Sequence, residues 1–318
     1  MSKAAPASME VASVRPYLWA LAYRLTGCAA DADEIAQEAM ARALEHSPAG
    51  ELRPWLTQVA VNLGRDVLRR RRRGYPGEWL PSPIPTDEPP SVEPVDFVPG
   101  ADARYSLLES VSVAFLIALE ALTPAQRAVL LLRDVFDLSV RDVSRSLGIG
   151  ESNVKVIHHR ARGAMARYDA ARAPLDAALR GKTRAALEAF LGALASGDAE
   201  AAARLLAPDA RAQTDAGGEY VAALLPVEGK DRVLRFLVNL ARKSQVSTFE
   251  VRELNGLPAL VADVSERPTR WAPRFVLWTE LDALGRIAHV RIVLADRKLT
   301  ALQPTPAHRP RPSGIGRS

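Results

Sequence analysis

Five consecutive arginines, Arg69 to Arg73, close the stretch WLTQVAVNLGRDVLRRRRRG, which begins at Trp55 and carries its apolar residues at helical spacing. Adjacent guanidiniums repel one another and project all round a helix, so a packed core cannot absorb them; a polyanion is the partner their chemistry calls for. A second basic group lies in ESNVKVIHHRARGAM, Glu151 to Met165. Residues 122–173 hold 9 Lys and Arg against 5 Asp and Glu, residues 74–108 hold 1 against 6, and residues 183–302 hold 16 against 15. Positive charge therefore sits in two blocks of the first half, separated by an acidic stretch, and its location says more than the net charge of +5.

Acid–base chemistry has weaker support. Asp263, Glu280 and His289 fall on period-two stretches near the C-terminus, but each can equally face outward, and no two make the close pair that such chemistry needs, so no catalytic residue is expected. The five histidines lack ligand spacing, with His158 and His159 pointing ~100° apart on one helix, and the lone Cys28 cannot assemble a cluster. Neither metal nor cofactor is expected. A single cysteine also excludes an internal disulfide and suits a reducing cytoplasm. No apolar run approaches the ~18 residues of a membrane span, so a cytoplasmic protein with no membrane partner is expected.

The elements that must position these groups read as follows. In LTPAQRAVLLLRDVFDLSVRDVSRSLGIGESNVKVIHHRARGAM, Thr123 and Pro124 start a helix. Val140, Val143 and Leu147 stripe a short helix, Gly148 breaks it, and Val154, Ile157, Ala161 and Met165 stripe the next. Short helix, glycine turn and basic helix make a helix-turn-helix, a DNA reader, with a plain helical hairpin as the alternative. Turning ~100° per residue from the buried stripe points Ser152, Val156, His159 and Gly163 outward, flanked by Lys155 and Arg160. Ser152, Lys155 and His159 are the expected base-edge readers, Val156 a contact for a thymine methyl, and Arg160 and Arg162 phosphate contacts.

Upstream, residues 8–73 read as a helical bundle in which Asp31 and Glu34 can form a capping box for DADEIAQEAMARALEH. Residues 74–105, crowded with proline and acid, read as an extended linker, and residues 106–179 as the second helical domain. From Thr183 to Leu302 two helical stretches precede the period-two runs STFEVREL, ALVADVSE, RFVLWTELD and RIAHVRIVLAD, with a tight turn at Leu284-Gly285. This predicts an α+β domain with a curved antiparallel sheet. The Pro- and Arg-rich tail, 303–318, is expected to be disordered.

DADEIAQEAMARAL together with PWLTQVAVNLGRDVLRRRRR resembles region 2 of the extracytoplasmic-function (ECF) sigma factors, and the helix-turn-helix is similar to their region 4. The resemblance covers roughly the first 175 residues and implies a subunit that binds core RNA polymerase and directs it to promoter DNA. It maps the polymerase-docking helix onto Asp31, Asp33, Glu34, Gln37 and Glu38, which lie opposite Ile35, Ala39 and Leu44. A merely solvated acidic face is the alternative. It also implies that the loop His46 to Pro54 receives a base flipped at the −10 element, with Asn62, Arg65, Arg69, Arg70 and the rest of the arginine run beside the melted strand. Trp55, at the edge of that loop, reads more naturally as a core anchor than as a stacking platform.

FLGALASGDAEAAARLLAPDA, Phe190 to Ala210, resembles the first helices of the cone-shaped SnoaL-like domains, a helix ending at LAPDA included. A subgroup of ECF sigma factors carries such a domain with a WLP in the linker, a DGGGK-like loop and an NPDKL-like segment. Here Trp79-Leu80-Pro81, DAGGE (Asp215, Gly217, Gly218 within it) and LADRKL (Asp296, Lys298, Leu299 within it) stand in those places, with Ala216 and Glu219 departing from the pattern. The resemblance implies that these residues join the C-terminal domain to the linker and regulate the sigma domains. The alternative is a stand-alone helix-turn-helix regulator whose C-terminal domain senses a small molecule or catalyses a reaction.

Overall fold

The computed structural model describes residues 12–46, 51–86, 103–266 and 270–302. Residues 47–50 of the predicted base-capture loop, 87–102 of the acidic linker and the tail from 303 lie outside the described residues. The chain forms two compact units: Met1–Tyr75 with Leu80–Ala177 and Leu254–Gly256, and Pro76–Trp79 with Ala178–Glu253 and Leu257–Ser318.

The first unit is helical. Helices α1 (Arg15–Thr26), α2 (Ala29–His46) and α3 (Leu52–Gly74) pack on one another. Burial of Leu18, Leu21, Tyr23 and Leu25 on α1 makes it the central element of this bundle. Helix α2 buries Ile35, Ala36, Ala39 and Ala43. That stripe puts Leu44 ~100° beyond Ala43, and Leu44 is 55% exposed rather than on the inner face. The capping box is also corrected. Helix α2 starts two residues before Asp31, and the N–H of Ala29 donates to Ser82 Oγ at 3.1 Å. Ser82 belongs to the segment expected to be an extended linker, and Leu80, Ser82 and Ile84 within it are fully buried. Prolines at 81, 83 and 85 hold this segment extended.

Helices α4 (Val113–Ala118), α5 (Pro124–Leu130), α6 (Val140–Leu147) and α7 (Glu151–Ala171) complete the unit. Thr123 and Gln126 cap α5 reciprocally, as the Thr-Pro start predicts. Asn255 is buried in the same unit, donating to Tyr23 Oη at 2.8 Å and to the carbonyl of Val111 at 2.7 Å while accepting from the N–H of Ile84 at 3.1 Å.

The second unit sets helices α8 (Ala177–Ser196), α9 (Ala199–Leu205) and α10 (Lys230–Lys243) with one open sheet of β1 (Leu206–Asp215), β2 (Val227–Glu228), β3 (Gln245–Leu254), β4 (Leu257–Glu266), β5 (Arg274–Leu281) and β6 (Ile287–Val293), in the order β2-β1-β6-β5-β4-β3. The four predicted strands are β3 to β6, and the turn before β6 has Gly285 at φ 77°. Three features differ from the sequence reading. LAPDA is not a helix end but the start of β1, because Pro208 cannot continue a helix; it falls where the β1–β6 register shifts between Leu206 and Arg211. Strand β1 runs parallel to β6, so the sheet is mixed. A third helix, α10, packs Val233 and Leu237 into the core formed with Leu187, Phe190, Leu277, Val290 and Ile292.

Candidate nucleic-acid interface and linker site

The arginine run of α3 divides in two. Arg69, paired with Asp66 at 2.9 Å, and Arg70 are exposed with Asn62, while Arg65 is half-buried and its Nε lacks a partner among the described residues. Arg71 turns inward and Arg72, though exposed, is held by a carbonyl of the same unit, against the expectation that the whole run awaits an external anion. The side chain of Arg71 is 10% exposed; it donates to the carbonyl of Thr26 at 2.7 Å and pairs with Glu120, and Arg72 donates to the carbonyl of Leu122. Glu120 also accepts from Arg127 at 2.7 Å, and Arg127 reaches the carbonyl of Leu25 at 2.9 Å. Burial alone would raise the Glu120 carboxyl, but Arg127 and Arg71 outweigh it and hold it below its usual range. Burial pushes Arg127 down to about 10, so it stays cationic at neutral pH. This cluster ties the end of α3 to the segment before α5, and α3 packs against α6 as well. Trp55 is half-buried and shares a shallow cleft with Gln58 and Arg145.

On α2, Glu34, Gln37 and Glu38 are exposed, and Asp31 and Asp33 half-exposed. Asp33 pairs with Arg15 at 2.9 Å and Glu38 with Arg42 at 2.8 Å, both pairs about half-exposed and therefore weak.

The helix-turn-helix has the predicted geometry. Ser139 caps α6, accepting from the N–H of Asp142 at 3.1 Å; Gly148 takes φ 64°, a left-handed turn that a β-carbon would strain; α7 follows with Val154, Ala161 and Met165 buried. Ser152, Lys155, Val156, His159, Arg160 and Gly163 are exposed together on its other side. Arg162 is placed differently from the phosphate contact expected of it, because its guanidinium grips Asp134 through Nη2 at 2.7 Å and Nε at 3.1 Å. His158 Nε2 shares that carboxylate at 2.8 Å. Burial would raise Asp134, yet these hydrogen bonds hold it below its usual range.

In the second unit the three linker-related motifs meet. Asp215, ending β1, is buried and pairs with buried Lys298; its Oδ1 accepts the N–H of Gly217 at 3.0 Å, and its carbonyl accepts the N–H of Leu294 at 2.8 Å. The Lys298 Nζ lies 4.7 Å from the centre of the Trp79 ring, a cation–π contact. Gln213 donates to Glu78 at 2.9 Å. Gly218, at φ 83°, meets Pro76 so closely that an added β-carbon would stand 3.0 Å from its ring. The departing residue Glu219 has its own task, accepting the N–H of exposed Asp296 at 2.9 Å, while Tyr220 donates to the Asp296 carboxylate. Leu299 is buried beside them in sequence; Leu80 and Pro81 belong to the first unit.

None of the candidate acid–base residues lines either of the two apolar cavities of this unit. Asp263 pairs with Arg274 at 2.6 Å, and Glu280 with Arg291, which holds its carboxyl low against the effect of burial. His289, opposite Glu280 in the β5–β6 pairing, is pushed below its usual range by burial and by Arg291. Two apolar cavities of about 510 and 340 Å³ lie in this unit, separated by Leu240, Ser244 and Phe275, and none of their described lining residues is Asp or Glu. Among the described residues no cluster can hold a metal ion, and no helix is long and apolar enough to cross a membrane.

Glu120, Arg127, Asp134 and Asn255 were not singled out by sequence reasoning. Apart from the Glu120–Arg127 pair, the partners that define them stand far along the chain: Arg71 for Glu120, Leu25 for Arg127, Arg162 for Asp134 and Tyr23 for Asn255.

Residues 11–74 match the family model for sigma-70 region 2, residues 112–165 that for sigma-70 region 4, and residues 187–289 that for the SnoaL-like domain. Fold and matches together define the class: a sigma factor with two helical sigma domains and a C-terminal α+β domain. The chain is 32% identical to the ECF RNA polymerase sigma factor SigJ of Mycobacterium tuberculosis over 97% of each. It is 30% identical to the probable ECF sigma factor SigI of that organism, over 95% of this chain and 98% of SigI. The crystal structure of SigJ matches with a TM-score of 0.66 and 26% identity, covering 92% of this chain and 98% of that one. The chain belongs to the ECF RNA polymerase sigma factors, which recognise promoters and initiate transcription.

Proposed function

We infer that this sigma factor reads the −35 element with Ser152, Lys155, His159 and Arg160 of α7, meets the melted −10 strand with Asn62, Arg65, Arg69 and Arg70 of α3, and docks on core polymerase through the acidic face of α2. We infer further that its C-terminal domain regulates these steps through the linker. The observation that carries the regulatory reading is the meeting of Trp79 with Lys298 and Asp215, three residues from segments as distant as 79, 215 and 298. The element centres lie ~25 base pairs apart, roughly 85 Å at 3.4 Å each. Within the first unit, however, α3 packs against α6 and Arg71 pairs with Glu120. Reading both elements at once requires that packing to open, and a linker gripped at Trp79 sets how freely it does so.

Trp79→Ala, measured with core polymerase on a promoter carrying both elements, is expected to change transcript yield several-fold while the far-UV spectrum stays unchanged. An unaltered yield, together with no cross-link from a photoreactive residue at position 79 to residues 183–302, overturns the regulatory reading.

A further inference from the structure

Helix α7 is gripped at two successive turns by one buried carboxylate. Asp134 is 2% exposed and lies on the π-helical turn Leu131–Val135 that follows α5; such turns are frequent at functional sites. Its Oδ1 accepts from His158 Nε2 at 2.8 Å and Arg162 Nη2 at 2.7 Å, its Oδ2 accepts from Arg162 Nε at 3.1 Å, and its carbonyl accepts the N–H of Tyr105 at 3.0 Å. His158 and Arg162 are four residues apart and so share one flank of the helix; from Lys155 and His159, His158 stands ~60–100° round and Arg162 ~20–60°. A rotation of α7 by ~20° would carry a side-chain tip ~6 Å from the helix axis through ~2 Å, more than a hydrogen bond to a base edge tolerates.

We propose that Asp134 is a positioning residue for −35 recognition: it fixes the rotation of α7 under its reading face and holds Arg162 off the DNA backbone, trading one phosphate contact for sequence discrimination. This rests on α7 being the −35 reader. Arg162 lies on the basic helix with its side chain 46% exposed, so a phosphate could claim it if the carboxylate let go. Releasing it should therefore strengthen binding to any sequence while weakening the preference for the right one. A residue that only supported the fold would lower both together.

The test uses the full chain as holoenzyme, a promoter fragment that it transcribes, and the same fragment with the −35 hexamer scrambled. Asp134→Asn, close to isosteric, is expected to lower the affinity ratio between the two duplexes about tenfold. It should also steepen the salt dependence on the scrambled duplex by about one unit of log affinity per log salt, the signature of one added phosphate contact. Arg162→Gln leaves Asp134 paired with His158, and it is expected to reduce the ratio about threefold without weakening binding to the scrambled duplex. If Arg162→Gln weakens both duplexes equally, Arg162 is a phosphate contact and the positioning role is wrong. If Asp134→Asn leaves ratio and salt slope unchanged, or lowers both affinities in parallel, the role is likewise wrong. Lys155→Ala reports separately on α7: unchanged affinity for both duplexes removes the −35 reading itself, whereas a loss on the promoter duplex alone keeps that reading whatever becomes of Asp134.

Discussion

Lys155 and Arg160 stand exposed on α7 on either flank of His159. Each is expected to contribute a direct base or clamped phosphate contact, so Lys155→Ala and Arg160→Ala should each weaken −35 binding by ~1–3 kcal/mol. Unchanged affinity in both, measured by titration of a labelled duplex, would place the reading face elsewhere. On α2 the expected outcome is sharper. Asp33→Lys with Glu34→Lys should abolish co-purification with core polymerase without unfolding the chain, since the Asp33 pair with Arg15 is half-exposed and worth little to stability. The exposed residues were legible in the sequence because helical spacing from Val154, Ala161 and Met165 dictates which side chains point outward. Arg162 was not, because its orientation depends on Asp134, which the apolar run LLLRDVF gives no reason to call a ligand.

Helix α3 shows at the element scale what a charge run leaves unsaid. Five arginines read alike in sequence, yet Arg71 is absorbed by Glu120 and the carbonyl of Thr26 while exposed Arg72 donates to that of Leu122, a distribution fixed by chain segments about fifty residues away. The helix-turn-helix, by contrast, was legible down to Gly148, since its signals are all local. Strand β1 was hidden because LAPDA follows a helix directly, and Pro208 was the overlooked stop signal. The Glu120 cluster also fixes a pH dependence. Its folded carboxyl titrates below the ~4.3 of an unfolded glutamate, so its stabilisation is complete above that value and is lost as pH falls through the folded pKa. Glu120→Gln should lower stability at pH 7 by of the order of 2 kcal/mol, less than a fully buried pair because Glu120 is partly exposed. The gap between wild type and variant should close toward pH 3. Urea midpoints across that range decide it; a gap that widens in acid contradicts the assignment.

At the scale of the molecule, region 2, region 4 and the SnoaL-like domain follow one another along a single chain, and the similarity to SigJ and SigI extends over nearly the whole length of each. Replacing DAGGE with serines removes the Asp215 carboxylate that holds Lys298 beneath Trp79, and promoter-dependent transcription should shift several-fold, as with Trp79→Ala. The motifs themselves were legible, but that Lys298 links the other two was not, because only the folded domain brings residues 79, 215 and 298 together. The most direct measurement is run-off transcription from genomic fragments, including the region upstream of the chain's own gene, with core polymerase alone and with the chain added. Discrete transcripts are expected only when the chain is present, lost in Asp33→Lys with Glu34→Lys and weakened in Lys155→Ala. No chain-dependent transcript, or transcripts indifferent to all three substitutions, would contradict that expectation.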